Sequence, residues 1–450
     1  MQRVDVAVVG GGPAGSSAAH AAASEGAETV LLEKGVPRTD REQLGPDSTD
    51  AAGLLDYWID LMDLDEDLPE EVVLTELSGA EFFGPSEKVT IRDTGIDSSY
   101  PNFGLAFHRA RFDDWLRERA ESVGAEYRVG VSVTNVETDL SGGHTHRLSV
   151  GGGDDIEAEY VVLADGPQRT VTTGTLDQFL DAGSVTDYLN PTEANHIAYQ
   201  EHRRVPEELF DPDHIKFWWG VMPGHTAYPW IFPNDDTVAR IGLTMPIGLD
   251  IDEYDRSEWA LLREDDEKIP QGGEYIERLL EREYPEYDID DFPLVEDRAK
   301  SDGTETYPIS STRPIDSPTR AGIAVAGGAM GTTSAFHEGG DHVAVRTGKI
   351  AGQLAATDRL ERYNDEWKRA IGEEIVRNVS MADVVHEFGP ADWDRTFATA
   401  DRMLSTDGPQ WRQALAGGLD GLKLFTQYKR AKFGYRGGGY VQLREDEYSV

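Results

Sequence analysis

VDVAVVGGGPAGSSAAHAAASEGAETVLLE, Val4–Glu33, is the stretch whose reading decides the fold. Its first six residues, Val4–Val9, are apolar apart from Asp5, as a buried parallel strand requires. Gly10, Gly12 and Gly15 then fall in G-x-G-x-x-G spacing. The first permits a tight turn, the second lets the backbone approach a pyrophosphate, and the third lets helix and sheet pack closely. Pro13 and Ala14 open an alanine-rich helix whose N-terminal N–H groups and dipole face the phosphates. The helix ends near Glu25-Gly26. A second buried strand, Glu28–Leu32, delivers Glu33, whose carboxylate can accept both ribose hydroxyls of an adenosine, and Lys34 follows it. Strand, glycine turn, helix, strand and acid together predict a dinucleotide-binding βαβ unit.

Composition sets the habitat and excludes several chemistries. The chain has 450 residues, enough for two or three domains, and a formal net charge of -42 from 84 acids and 42 bases. Ten of the bases are lysines and the rest arginines. Such a balance fits a protein kept soluble in molar salt, where like-charge repulsion is screened. It argues against nucleic acid as a partner, because a phosphate-binding face needs clustered Lys and Arg. With no cysteine, disulfides, thiolate metal sites and cysteine catalysis are excluded. The eleven histidines show no metal-ligand spacing, and no G-x-S-x-G elbow is present, so no metal is expected and hydrolase chemistry has no starting point. No run of 18 apolar residues occurs. The chain enters its first strand at once, which leaves no room for a signal peptide. A cytoplasmic protein, or one peripheral to the membrane surface, is expected.

Further along, Phe107–Val123 reads as a helix with Phe112, Trp115, Leu116 and Ala120 on one side. Strands at Glu126–Val131, Val133–Glu137, His146–Val150 and Ile156–Ala164 follow, the last ending in Asp165-Gly166 at a carboxyl end, where α/β folds place ligands. From Val171 to Tyr307 short strand candidates (HIAYQ, IKFWWGVM, TAYPWIF, TVARIGLTM) alternate with turns, which predicts an antiparallel sheet. Gly322–Gly328 is another buried strand running into glycines, and His342–Thr357 is helical. The expected architecture is α/β with an α+β second domain. A discontinuous nucleotide domain occupies 1–50, 101–170 and 311–360. A lid or connecting segment spans 51–100, an antiparallel-sheet substrate domain 171–310, and a mainly helical region 361–450.

Four separated segments carry a resemblance. The βαβ unit with Glu33, the run Arg109-x-Arg111-Phe112-Asp113, the Ala164-Asp165-Gly166 strand end and Gly327-Gly328-Ala329-Met330-Gly331 resemble the FAD-dependent oxidoreductases related to p-hydroxybenzoate hydroxylase. Within that superfamily, Tyr228-Pro-Trp230-Ile-Phe232-Pro233 is similar to the Y-x-W-x-F-P stretch of geranylgeranyl reductases, here of a haloarchaeal type. The resemblance implies a Rossmann-like FAD-binding domain, FAD as bound cofactor, and Arg109 or Arg111 near the flavin. It implies reduction of carbon–carbon double bonds of isoprenoid chains in membrane lipids or their precursors. An FAD-dependent monooxygenase or quinone-linked dehydrogenase of the same fold, and a non-catalytic flavin-binding protein, remain the alternatives. A single nucleotide fingerprint leaves the electron donor transient, either NAD(P)H or a small redox protein.

Two departures from the family stand out. Gly328 replaces the acid of the family's G-D pair, and Leu44-Gly45-Pro46 stands where archaeal reductases usually carry a cysteine. Gly331, Gly339 and Gly340 can still offer backbone N–H groups to a flavin. Saturating an unactivated alkene needs a hydride on one carbon and a proton on its neighbour. His337 and Tyr228 are the candidate proton donors, with Glu338 orienting the histidine. Trp230, Phe232, Pro233 and Trp218 are the candidate apolar wall for a long chain. Finally, Lys423, Lys429, Arg430, Lys432 and Arg436 interleave with Phe425, Tyr428, Phe433 and Tyr435. Residues 423–436 therefore suit either an anionic lipid surface or a helix that docks on the acidic body through its aromatics.

Overall fold

The computed structural model describes residues 1–36, 52–64, 68–189, 195–296, 302–310, 313–404 and 418–450. The Leu44–Pro46 departure lies outside them. The predicted unit forms as β1 (Gln2–Val9), α1 (Pro13–Ser24) and β2 (Thr29–Glu33). The next stretch contributes β3 (Gly53–Leu55), α2 (Asp56–Met62), β4 (Val73–Leu77), β5 (Gly79–Phe83), β6 (Lys88–Ile91) and β7 (Gly104–Phe107). Then come α3 (Arg109–Ser122), β8 (Glu126–Val129), β9 (Val133–Asp139), β10 (Thr145–Val150), β11 (Ile156–Leu163) and α4 (Thr170–Asp177). The second domain supplies β12 (Asn195–Arg204), β13 (His214–Trp218), β14 (Tyr228–Pro233), β15 (Val238–Pro246), α5 (Gly272–Glu283) and β16 (Thr304–Ser310). The chain returns through β17 (Ile323–Val325) and α6 (Asp341–Ala356) and closes with α7 (Tyr363–Val385), α8 (Pro390–Leu404) and α9 (Gly418–Gly434).

The first sheet has the order β8-β2-β1-β11-β10-β9, with β17 pairing β11 beyond the β10 contact. Its β8, β2, β1, β11 and β17 run parallel, as continuous apolar runs such as Val6–Val9 and Tyr160–Leu163 demand. The second sheet, β16-β12-β15-β14-β13-β5-β6, is antiparallel with one exception. β5 pairs β13 in parallel, Gly79 opposite His214. A strand delivered from far upstream is not bound by a hairpin and is free to add to the edge in either sense. The expected lid at 51–100 is thereby divided: Gly79–Ile91 belongs to the second sheet, while β3 and β4 flank β7 in a small third sheet. The helix expected from Phe107 begins at Arg109, because Phe107 ends β7 and His108 caps the helix, its Nδ1 accepting the Arg111 N–H at 3.4 Å.

Alternation along the second sheet separates two cores. One face meets the amphipathic α5 through Tyr275, Ile276, Leu279 and Leu280. The other carries Trp219, Tyr228, Trp230 and Phe232 and packs against Val385, Trp393 and Phe397 of α7 and α8. The first domain is closed by α6 lying on α1. A Cβ added at Gly348 would stand 1.9 Å from the Ala14 carbonyl oxygen, and one at Gly352 2.0 Å from that of Ala18. The two helices are thus in backbone contact, which only glycine on one and small residues on the other permit. Gly352→Ala is expected to lower unfolding free energy by about 1–3 kcal/mol, as overpacking does. Gly174→Ala is the control, since a Cβ there meets nothing within 4 Å. Denaturant midpoints of the two variants measure the difference, and equal midpoints would refute the backbone contact.

Candidate active site

The nucleotide cradle sits at the carboxyl end of β1. Gly10 has φ +99°, and a Cβ there would lie 2.3 Å from the Ala164 carbonyl oxygen. At Gly15 a Cβ would come within 1.8 Å of the Gly10 oxygen, so this glycine lets helix and turn touch. Gly12 is different: a Cβ there meets no atom within 4 Å, and no side chain caps α1. Open space over an uncapped helix start is what a pyrophosphate fills. Glu33 turns inward, its carboxylate accepting the Gly11 N–H at 2.6 Å and the Gly35 N–H at 2.5 Å. Each oxygen retains acceptor capacity for a ribose hydroxyl. Lys34 is exposed. Two residues that pattern reading missed complete the loop: Ser16 Oγ and Tyr127 OH both donate to the Gly11 carbonyl, at 3.0 and 2.9 Å. Tyr127 stands on β8, so only the folded sheet brings it there.

Asp165 is engaged in capping. Its carboxylate accepts the N–H groups of Val171 at 2.6 Å and Thr172 at 3.1 Å, which orders the start of α4. Gly166 follows with φ +77°. Beside it the Gly328 departure acquires a physical reason: a Cβ at 328 would press to 3.3 Å on both the ring Cδ and the nitrogen of Pro167. Arg169, in the left-handed region at φ 51°, is buried and donates from Nε to the Ala329 carbonyl at 2.8 Å. Burial pulls this guanidinium down to about 10, against the opposing pull of Asp165. A cation therefore lies beside the glycine where the family has an acid. Sequence reading did not single it out.

Gly331 (φ +88°) begins the turn that ends in Gly339 and Gly340, with Gly340 at the start of α6. Arg109 is the tie across it. Its Nη1 lies 3.0 Å from Asp341 Oδ1, in the first turn of α6, and its Nε 2.9 Å from Asp113 Oδ1. Burial works against this charge, yet the two carboxylates hold it above its ordinary value. Asp113 itself is pushed up to about 6 by burial despite Arg109. Arg111, the other candidate, is exposed.

Where this turn meets the second sheet, the structure assembles a seam. Tyr228 OH donates to the His337 carbonyl at 2.6 Å. His337 stacks on Trp58 at 5.7 Å, and Trp58 lies flat on His342 at 4.2 Å. The Nδ1 of His337 accepts the Gly339 N–H at 3.3 Å, which leaves the proton of the neutral ring on Nε2. Burial, with His342 adding to the effect, pushes His337 down to about 4. Glu338 turns away from that ring. It occupies the left-handed region at φ 58°, and its Oε1 lies 3.1 Å from His196 Nε2 and 3.3 Å from Thr226 Oγ1. Thr244 Oγ1 donates to the other oxygen, and Thr226 Oγ1 is also 2.9 Å from His196 Nε2. Burial pushes Glu338 up to about 8, which favours the protonated carboxyl at neutral pH, and the same burial keeps His337 neutral. Glu338 and Thr226 both stand in the left-handed region and are joined through their side chains, which makes the seam a candidate site. His196, Thr226 and Thr244 carry no local signal in sequence.

The aromatic wall is divided by the pleat. Tyr228, Trp230 and Phe232 share one face with Trp219, which stacks on Tyr228 at 4.4 Å and on Phe336 at 5.3 Å. The Trp230 indole lies against Gly242, where a Cβ would come within 2.6 Å. Trp218 stacks on Phe83 at 4.9 Å on the opposite face, and Pro233 lines the crevice there with Ile231 and Leu280. The structure thus brings Tyr228 beside His337 and Glu338, places Trp230 and Phe232 further along the same face, and sets Trp218 and Pro233 on the other.

Two outcomes check this geometry. Gly12→Ala is expected to leave the fold intact and lower bound flavin about tenfold, because the added Cβ meets no protein atom and stands over the helix start where a pyrophosphate would lie; absorbance of the purified protein reports it. For Glu338, a raised folded value means that stability is fully present below the unfolded carboxyl range and is lost as pH rises through about 8. Glu338→Gln removes this dependence, so the variant gains on the wild type between about pH 5 and pH 8, as thermal melts across that range will read out.

Comparison with known proteins agrees with the cradle. Residues 3–185 match the family model described as FAD binding domain. The chain is similar to the digeranylgeranylglycerophospholipid reductase of Methanocaldococcus jannaschii, 26% identical over 445 residues, covering 95% of this chain and 94% of the relative. It is similar also to digeranylgeranylglycerophospholipid reductase 1 of Methanosphaera stadtmanae, 23% identical, covering 90% of each. These relatives are methanogens, so the haloarchaeal type expected from the sequence is carried by composition alone. Among solved structures, a geranylgeranyl bacteriochlorophyll reductase-like protein from Thermoplasma acidophilum shares the fold with TM-score 0.71 at 19% identity, covering 96% of this chain and 100% of that one. With its FAD-binding domain, the chain is an FAD-dependent oxidoreductase related to the digeranylgeranylglycerophospholipid reductases.

Proposed function

We propose that this chain reduces carbon–carbon double bonds of geranylgeranyl or other isoprenoid chains in membrane lipids or their precursors. The observation that carries the reading is the seam itself: an aromatic face of Tyr228, Trp219 and Trp230 adjoins a buried, proton-holding carboxyl at Glu338. Likeness to prenyl-lipid reductases over nearly the whole chain supports it. FAD, when bound, supplies the hydride chemistry. Gly10, Gly12, Gly15 and Glu33 would hold its adenosine and pyrophosphate, and Gly339 and Gly340 would meet its ring system. A transient donor, NAD(P)H or a small redox protein, would supply the electrons.

The chain's own residues do the rest. The rings of Trp219 and Tyr228, stacked with Phe336 and buried, keep water from the Glu338 end of the seam. The Tyr228–His337 bond fixes that wall to the turn ahead of α6. Glu338 keeps a proton on its carboxyl at neutral pH, with Thr226 and Thr244 orienting the group. His337, neutral, serves as packing and as an acceptor for Gly339 rather than as the acid.

The test is a mass comparison of lipids and quinones from cells with and without the gene. A ladder of two-hydrogen deficits, relieved by the wild-type gene, is the expected result. Unchanged lipid and quinone profiles would sink the reading and move small-molecule oxidation to the front.

A further inference from the structure

Three of the ten lysines stand at 423, 429 and 432. Between Asp420 and Glu445 the sequence has no acid, while Lys423, Lys429, Arg430, Lys432, Arg436 and Arg444 are all cationic. In a chain with 84 acids in 450 residues this is a local reversal of sign. The fold uses only part of it. On the inner side of α9, Lys432 Nζ pairs with Glu373 Oε2 of α7 at 2.6 Å. Just past the helix, Tyr435 OH donates to Asp383 Oδ2 at 2.5 Å. Tyr428 and Tyr435 are half-buried, so they are the aromatics that dock on the body.

The outward side is different. Phe425 is 56% exposed and Phe433 63% exposed. With Lys429 they form an i, i+4, i+8 row, a single stripe along the helix. Lys429 Nζ stands 5.2 Å over the Phe425 ring, and the Arg436 guanidinium 4.5 Å over that of Phe433. Lys429, Arg430 and Arg436 are exposed. Leu404, at the end of the neighbouring α8, is 54% exposed. Bare rings flanked by cations on flexible stems match a layer that is anionic outside and apolar beneath. A second copy pairing stripe to stripe would set Lys429, Arg430 and Arg436 against their own like charges.

We propose that the outward stripe of α9 docks this protein on an anionic lipid surface. Phe425 and Phe433 enter the boundary between headgroups and acyl chains, and Lys429, Arg430 and Arg436 pair with lipid phosphates. Among the described residues no helix is long and apolar enough to cross a membrane, so the contact lies in the surface plane. The docking is independent of the reduction proposed above, since it is read from binding rather than turnover.

Co-sedimentation of the full chain with phosphatidylglycerol or phosphatidylcholine vesicles, over a series of salt concentrations, tests it. Wild type is expected to partition about tenfold more onto phosphatidylglycerol. The F425S/F433S pair should lose about tenfold at every salt concentration, because it removes the apolar part. The K429Q/R430Q pair should lose binding at low salt and converge on wild type at high salt, because it removes the screened part. Both pairs lie on an exposed stripe and should leave thermal unfolding unchanged. Failure of wild type to bind vesicles, or equal binding by the phenylalanine pair, overturns the proposal. Self-association in sedimentation velocity that the same variants abolish, without vesicle binding, also overturns it and assigns the stripe to a second copy.

Discussion

The backbone contact between α1 and α6 is the constraint on which the rest of the structure depends. Ala14 and Ala18 on one helix face Gly348 and Gly352 on the other, with no room for a single carbon between them. That closeness brings residues from beyond position 320 against the first 25 of the chain. It seats the turn ahead of α6 next to the Gly10–Gly15 loop, and Gly327 against Ala14, where a Cβ would come within 2.7 Å of its side chain. A discontinuous domain has no hairpin to hold its parts together, so packing must do it. The small residues make this possible because dispersion between closely apposed atoms falls steeply with distance.

From that seating follows the chemistry of the seam. The turn presents Glu338 to the second sheet, and the sheet answers with His196, Thr226 and Thr244. Burial disfavours charge on both neighbours in the turn, pushing the Glu338 carboxyl up and the His337 imidazole down. Arg109 contributes at the other end of the turn by holding Asp341 and Asp113 together, so the start of α6 carries a compensated charge. A buried cation left with one partner would be far costlier, which explains why both acids converge on it.

The distribution of charge over the surface obeys a separate logic. A body with 84 acids gains solubility from repulsion, at some cost to compactness that salt relieves. The reversal of sign on α9 interrupts that logic, and the helix is attached by Lys432–Glu373 and Tyr435–Asp383 while its phenylalanines face outward. The surface is therefore polarised, with one cationic, partly apolar stripe on an anionic protein.

Local pattern determined the βαβ unit, its glycine roles and the interrupted domain, because each rests on residues adjacent in sequence and on steric needs that glycine alone meets. Gly10 and Gly15 make the turn and the close packing that their spacing predicts, and Gly12 leaves open space over the start of α1. The strands of the second sheet were legible for the same reason, since alternation is a nearest-neighbour property. Only the tertiary structure decided the rest. The face on which Trp218 and Pro233 stand, the parallel entry of β5, the capping duty of Asp165 and the space taken by Pro167 beside Gly328 all depend on which segments meet. Whether His337 or Glu338 holds a proton was beyond sequence altogether. Ionisation answers to desolvation and to partners on other strands, and neither exists until the chain has folded.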